Sequence, residues 1–217
     1  THTYVNSGDY DVTVLGALVG FSGVTNKLRV ILNFGNGFVI DNNTKFTSCG
    51  FLDILATDTP IIIATSLINF FSGCGALIYN ESVNDWDVST VNDLSSCFNN
   101  TSKFNFSVND WDVSNVNTMF RVFGTSLYNQ PLNDWDVSNV FNFQQMFRNN
   151  NSFNQPLNNW NLSTSLNVNM FRMFRGADSF NQDLSNWNFS SLFSLSQFMT
   201  EKTHLNYDAT YYDNLLI

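Results

Sequence analysis

Three aspartates recur in one setting. Asp87, Asp112 and Asp136 each follow a tryptophan directly, and each stands two residues before a serine: Ser89, Ser114 and Ser138. In the next two occurrences the aspartate becomes Asn161 and Asn188. If such units stack, a row of carboxylates results, and calcium, which needs several oxygen ligands, is the metal that row would collect. The row is equally a solvated face whose Asp and Asn side chains bond along the stack. Repulsion between carboxylates is modest in water, so the row requires no metal. Four arginines, Arg121, Arg148, Arg172 and Arg175, form a second set. They fit a solvated face with some stacking on phenylalanine, or a docking surface for an acidic partner or neighbouring subunit. Cys49 and Cys74 form a third, at equivalent places in adjacent units. A disulfide between neighbouring units falls within the allowed Cα range, although parallel Cβ vectors oppose it. A ladder of small buried thiols is the alternative. Cys97 is expected one place off that register.

Catalysis has little to draw on. The two histidines, His2 and His204, lie near opposite ends, and there is no Cys-x-x-Cys, phosphate loop or Gly-x-Ser-x-Gly. A paired-carboxylate glycosidase needs acids outside the repeat that face a cleft, and the acids here ride on the repeat. The expectation is no enzyme and no cofactor. Nine Lys and Arg against 18 Asp and Glu give a net charge of -9, so the basic footprint of a nucleic-acid binder is missing. No apolar run approaches the ~18 residues of a membrane span, so no membrane insertion is expected of this segment. Charged residues are only 12% of the chain; 34 Asn, with Ser and Thr, supply the polar surface, and 22 Phe suffice for a core. The chain opens on Thr1 with no signal-like segment, which suggests a mature or partial piece. Eight Asn-x-Ser/Thr sequons, at Asn42, Asn80, Asn99, Asn100, Asn105, Asn150, Asn161 and Asn188, are acceptors where the source can glycosylate.

What positions these sets is a repeat. Trp86, Trp111, Trp135, Trp160 and Trp187 recur at nearly equal intervals of about 25 residues, all at the same place in one unit. Each unit reads in three parts. The first, such as Leu132-x-x-Trp135-x-Val137, alternates like a short strand with the tryptophan turned inward. The second has apolar residues at spacings 3, 6 and 7, as in Val91, Leu94, Cys97, Phe98 or Val140, Phe143, Met146, Phe147. In another unit the set reads Val116, Met119, Phe120, Phe123. This spacing predicts one face of a helix about two turns long. The third is a polar loop returning through an aromatic seven residues before the next tryptophan: Tyr79, Phe104, Tyr128, Phe153 or Phe180. Phe98, Phe123, Phe147 and Phe174 join the five tryptophans as the expected core. Asn84, Asn109, Asn133 and Asn158, with Asn105, Asn129, Asn154 and Asn181, are expected to satisfy loop backbone groups within the stack. The fold class is therefore α/β, a leucine-rich-repeat-like solenoid of about seven coils, each with one short parallel strand and one short helix. Residues 1–16 alternate like a hairpin, 17–78 form an N-terminal cap with divergent repeats, 79–199 hold five Trp-centred repeats, and 200–217 close the C-terminal end.

Two resemblances follow from these residues. Thr1-His2-Thr3-Tyr4, a Gly8 turn and Tyr10-Asp11-Val12-Thr13-Val14 resemble the last hairpin of a PKD-type immunoglobulin-like domain. The unit Phe180-Asn181-Gln182-Asp183-Leu184-Ser185-Asn186-Trp187-Asn188-Phe189-Ser190, with Met173-Phe174 before it, resembles the 26-residue repeat of the BspA-like leucine-rich-repeat surface proteins. Leu52 to Pro60 is similar to the segment that opens such arrays, and Tyr212 to Ile217 to the one that closes them. Phe70-Phe71 and Cys97-Phe98 depart from the Met-Phe pattern. The resemblance implies a surface-displayed protein used in adhesion or as an extracellular scaffold, on a cell or a virion. The function expected is a non-catalytic structural or adhesive module contacting proteins, glycans or copies of itself. The alternative is a receptor domain that binds a glycan or protein through the strand face.

Overall fold

The computed structural model describes residues 18–19, 28–78, 81–162, 167–190, 192–201 and 208. The expected hairpin at 1–16 lies outside them, as do Tyr79, His2, His204 and most of the expected cap at 200–217.

The α/β leucine-rich-repeat solenoid is not what forms. Among the described residues there is no α-helix; the one helical element is a 3-10 turn at Glu81–Asp85. Strands are two or three residues long: β1 (Leu18–Val19), β2 (Val30–Ile31), β3 (Phe38–Ile40), β4 (Asp53–Ile54), β5 (Ile61–Ile62), β6 (Val168–Asn169) and β7 (Leu192–Ser194). They make three small parallel sheets, ordered β1-β3-β5, β2-β4 and β6-β7. The Trp-x-Val segments expected as strands carry no strand at all, for example at 86–88. The ladder instead runs through the segment expected as a helix, where isolated parallel bridges link Ser66, Asp93, Thr118, Asn142 and Asn169 in succession.

The hydrogen bonds explain the substitution of turns for helix. In the 94–101 segment, alternate amides donate to the following unit: Leu94 to Thr118 O at 3.1 Å, Ser96 to Phe120 O at 2.7 Å, Phe98 to Val122 O at 3.0 Å and Asn100 to Gly124 O at 2.9 Å. The amides between them close turns, Cys97 N to Leu94 O at 3.0 Å and Asn99 N to Ser96 O at 3.2 Å. An α-helix would turn all of these amides inward along its own axis. Here half of them run from unit to unit, as in a parallel ladder. From Asn69 onward the turns use two left-handed residues, four apart, in each unit: Asn69 and Gly73, Ser96 and Asn100, Arg121 and Thr125, Gln145 and Asn149, Arg172 and Gly176, Gln197 and Glu201. A positive φ at the third position of an i to i+3 turn is the mark of type II. Ordinary residues held there cost roughly 1 kcal/mol each, which the ladder bonds offset. A segment of eight residues is also too short to nucleate a helix unaided, and Asp93, Asn142 and Asn169 divert the amides two residues on, at Ser95, Gln144 and Phe171.

The 3, 6, 7 spacing still selects the core, with one change. Leu94, Cys97 and Phe98 are fully buried, as are Met119, Val122 and Phe123. Val122, not Phe120, fills the inward position; Phe120 is half-buried. Phe46, Phe71, Phe98, Phe123, Phe147 and Phe174 form one column of rings with centroids 5.4–5.8 Å apart. Each of the later rings also stacks on the loop aromatic of its own unit: Phe98 on Phe104 at 4.2 Å, and Phe123 on Tyr128, Phe147 on Phe153 and Phe174 on Phe180 at 4.0 Å. Stacked pairs of this kind add about 0.5–1.5 kcal/mol beyond area burial.

Tryptophans lock neighbouring units together. The indole N–H of Trp111 donates to Val83 O at 2.7 Å, Trp135 to Val108 O at 2.9 Å, Trp160 to Leu132 O at 2.7 Å and Trp187 to Leu157 O at 2.8 Å. Each acceptor lies three residues before the preceding tryptophan. Trp86 comes first in the row, and its buried N–H has no partner.

Candidate functional site

With the apolar positions consumed by the core, chemistry is left to the outward columns. The first is the flank of the tryptophans. Asp87, Asp112 and Asp136 are exposed, and each folds back on its own chain. Asp87 Oδ1 accepts Ser89 N at 3.1 Å and Ser89 Oγ at 2.6 Å; Asp112 Oδ1 accepts the same pair from Ser114 at 3.0 and 2.6 Å; Asp136 Oδ1 accepts Ser138 N at 3.0 Å. These are Asx turns, and Asn188 makes the same bond to Ser190 N at 2.9 Å. The Ser89 hydroxyl, then the Ser89 amide, hold the Asp87 carboxyl below the usual carboxylate range, and Ser114 does so for Asp112. One oxygen of each carboxylate is therefore occupied locally.

A second aspartate column, outside the expected set, follows from the repeated Asp-Trp-Asp. Asp85, Asp110 and Asp134, directly before the tryptophans, are exposed as well. Asp110 Oδ2 accepts the Asn84 amide at 2.5 Å, and Asp134 Oδ2 accepts that of Asn109 at 2.8 Å. Asn133 Oδ1 accepts Asn159 N at 3.0 Å. Beside them runs an unbroken asparagine ladder. Asn105 Oδ1 accepts Asn129 N at 2.7 Å, Asn129 Oδ1 accepts Asn154 N at 2.8 Å, Asn154 Oδ1 accepts Asn181 N at 2.8 Å and Asn181 Oδ1 accepts Asp208 N at 2.6 Å.

The arginines lie on the turns, not on a helix. Arg121 and Arg172 occupy the first left-handed position of their units; Arg148 and Arg175 sit three residues further on than the equivalent position in theirs. Arg175 pairs with Glu201 at 2.6 Å. Arg172 donates to Gln197 Oε1 at 2.6 Å and lies over the Phe171 ring, and Arg148 donates to Gln145 Oε1 at 3.2 Å. The Nε atoms of Arg121 and Arg148 are buried without a partner. Phe120 and Phe171, the chain neighbours of Arg121 and Arg172, are half-buried, and Phe141 is 43% exposed.

The cysteines form no site. Cys49, Cys74 and Cys97 are buried free thiols. Cys74 Sγ donates to Phe46 O at 3.0 Å, and the neighbouring Cys49 together with burial pushes the Cys74 thiol up. Cys49 and Cys74 share a column, as expected, but Cys97 does not lie one place from it. It stands in the column of Phe70, Val122, Met146 and Met173, three residues after the unit's first buried position. Among the described residues no group of three or more His, Cys, Asp or Glu converges as a metal site, and no helix is long and apolar enough to cross a membrane.

No curated protein and no solved structure matches the chain. A family described as Mycoplasma protein of unknown function, DUF285, matches residues 65–171 and 162–215, the stretch that carries the Trp ladder and both charged columns. Those matches together span well over half of the 217 residues, and the chain belongs to that family.

Proposed function

We propose that this chain is a non-catalytic structural or adhesive module displayed on the surface of a cell or virion, working through contacts made by its outward columns. The observation that carries the reading is the division of labour in each unit. Tryptophan, phenylalanine and the buried small residues serve the stack, while Asp-Trp-Asp and arginine columns repeat outward at the interval of the units. Recurrence of one polar motif on a stiff aromatic core suits many weak contacts made side by side, where avidity rather than a deep pocket supplies affinity. Surface display rests on the likeness of the repeat to the BspA-like surface repeats.

The test is binding of fluorescently labelled chain to intact cells and to immobilised glycans and matrix proteins, alongside a panel of hydrolase substrates. The expected result is saturable surface binding that weakens when Asp87, Asp112 and Asp136 are changed together to Asn, with no turnover. Turnover of any substrate, or no binding at micromolar concentration to any of these surfaces, overturns it.

A further inference from the structure

The two charged columns match one another. Counting units by the turn segment each tryptophan leads into, Asp85/Asp87, Asp110/Asp112 and Asp134/Asp136 lie on three consecutive units, which open at Leu94, Met119 and Phe143. Arg121, Arg148 and the Arg172/Arg175 pair also lie on three consecutive units, opening at Met119, Phe143 and Met170. The two sets are equal in length and offset by a single unit. Both inherit their spacing from the same backbone ladder, whose amide bonds of 2.7–3.4 Å through these units set neighbours about 4.8 Å apart. Among the described residues, none of these six aspartates has a cationic partner, and of these arginines only Arg175 has an acidic one.

We propose that the arginine column is a docking surface for the Asp-Trp-Asp column of a second copy of this chain. The basic charges recur once per unit, on one or the other of two turn positions three residues apart, and another copy repeats its acidic charges at that same unit interval by construction. Two copies aligned side by side and slipped by one unit place three acidic rungs against three basic ones. The arginine side also carries what interfaces are rich in, an aromatic side chain beside a guanidinium group: Arg172 lies over the half-buried Phe171, and the half-buried Phe120 precedes Arg121 in the chain. Because one face meets a different face, a bound pair leaves one free column at either side, and the assembly grows as a ring or an open filament. The net charge of -9 opposes approach at long range, but salt screens that repulsion beyond about 8 Å at physiological strength while contact pairs persist. This proposal rests on the reading of the outward columns as contact surfaces and names one partner for them.

The columns themselves supply neutral replacements that the fold already accepts. Asn161 and Asn188 stand where Asp87, Asp112 and Asp136 do, and Gln145 and Gln197 stand where Arg121 and Arg172 do. Sedimentation velocity at physiological salt, from micromolar to hundreds of micromolar, is run on the parent chain, on D87N/D112N/D136N and on R121Q/R172Q, with thermal melts confirming that each variant is folded. The parent is expected to show concentration-dependent oligomers, and each variant to weaken association about tenfold, the sum of several exposed pairs. A parent that stays monomeric throughout, or either folded variant that associates like the parent, overturns the pairing. Neither result bears on binding of the monomer to cells or glycans, which the surface assay reads separately.

Discussion

The tryptophan row offers an internal comparison, because four of its members have an acceptor and one does not. Trp135 is buried and donates to Val108 O at 2.9 Å; Trp86 is equally buried and donates to nothing. Replacing either with phenylalanine shrinks the ring by a similar amount, so the difference between the two variants isolates the indole N–H. In Trp135→Phe one hydrogen bond is lost, worth about 1 kcal/mol net. The Val108 carbonyl is not orphaned, since it also accepts Trp111 N at 3.2 Å. In Trp86→Phe a buried unpaired donor is removed, which recovers a desolvation penalty of about 1–3 kcal/mol. Trp135→Phe should therefore be less stable than Trp86→Phe by about 2 kcal/mol or more, a gap of roughly 4–8 °C in Tm for a chain of this size. Urea unfolding followed by circular dichroism measures it, and Trp111→Phe and Trp160→Phe should group with Trp135→Phe. Equal stability of Trp86→Phe and Trp135→Phe within the error of the unfolding curves, or a weaker Trp86→Phe, would refute the reasoning.

Three further outcomes follow from the geometry. In Ser89→Ala the Asp87 carboxyl loses its main hydrogen bond, so its NMR titration midpoint should rise toward 3.8. The linked stability is whole above that value and lost as pH falls through the depressed folded one, so the variant should show less of that acid-dependent loss; an unmoved midpoint contradicts the Asx turn. Gly176 has φ +66, and a Cβ there would meet Asn149 Oδ1 at 2.7 Å. Gly176→Ala should cost about 1–3 kcal/mol by thermal melt, and adding Asn149→Ala should recover only the part due to the clash. Cys49, Cys74 and Cys97 are buried, and burial pushes the Cys97 thiol up. A chromogenic thiol reagent should label the folded chain only at its unfolding rate, and prompt labelling of any one of the three would show that its unit opens locally.

Much of this was legible in the sequence. The five tryptophans gave the period, and the alternation of buried and outward positions gave the core columns, because both depend only on which side chains must leave water. The local conformation was not legible, for a physical reason. Apolar residues at spacings 3, 6 and 7 suit a helix face, but two linked type II turns return the chain to the same side at nearly the same intervals. The deciding feature is where the amides go, and that depends on a neighbour one whole unit away along the chain. Glycine would have signalled the left-handed positions, yet these are mostly Ser, Arg, Gln, Asn and Thr, with Gly73 and Gly176 the exceptions. A helix face would likewise bury Phe120, where the turns bury Val122.

The position that closes each turn segment shows how far a column can vary before the loop beside it must change. It reads Cys49, Cys74, Thr101, Ser126, Asn150 and Ala177 along the stack. Thr101 and Ser126 return their hydroxyls to Phe98 O at 2.6 Å and Phe123 O at 2.9 Å. Asn150 does more: fully buried, it donates to Ser126 Oγ at 3.2 Å and Tyr128 O at 3.0 Å, and its Oδ1 accepts both Ser152 N and Phe153 N at 3.1 Å. One unit later Ala177 has no such side chain, and there the loop amide of Phe180 bonds to Ala177 O at 3.1 Å instead. An alanine in this column is therefore tolerated only where the following loop takes the backbone route. Asn150→Ala strips two amides of their acceptor without supplying that route, and should cost about 2–4 kcal/mol, one to two orphaned buried groups. Of the bonds its hydroxyl accepts, Ser126→Ala removes only long ones, from Tyr128 N at 3.4 Å and Asn150 Nδ2 at 3.2 Å, and should cost about 1–2 kcal/mol. If urea unfolding gave Asn150→Ala a cost no greater than Ser126→Ala, the 151–153 loop would have to reach the Ala177 arrangement freely. The buried amide would then be a consequence of the loop and not its cause.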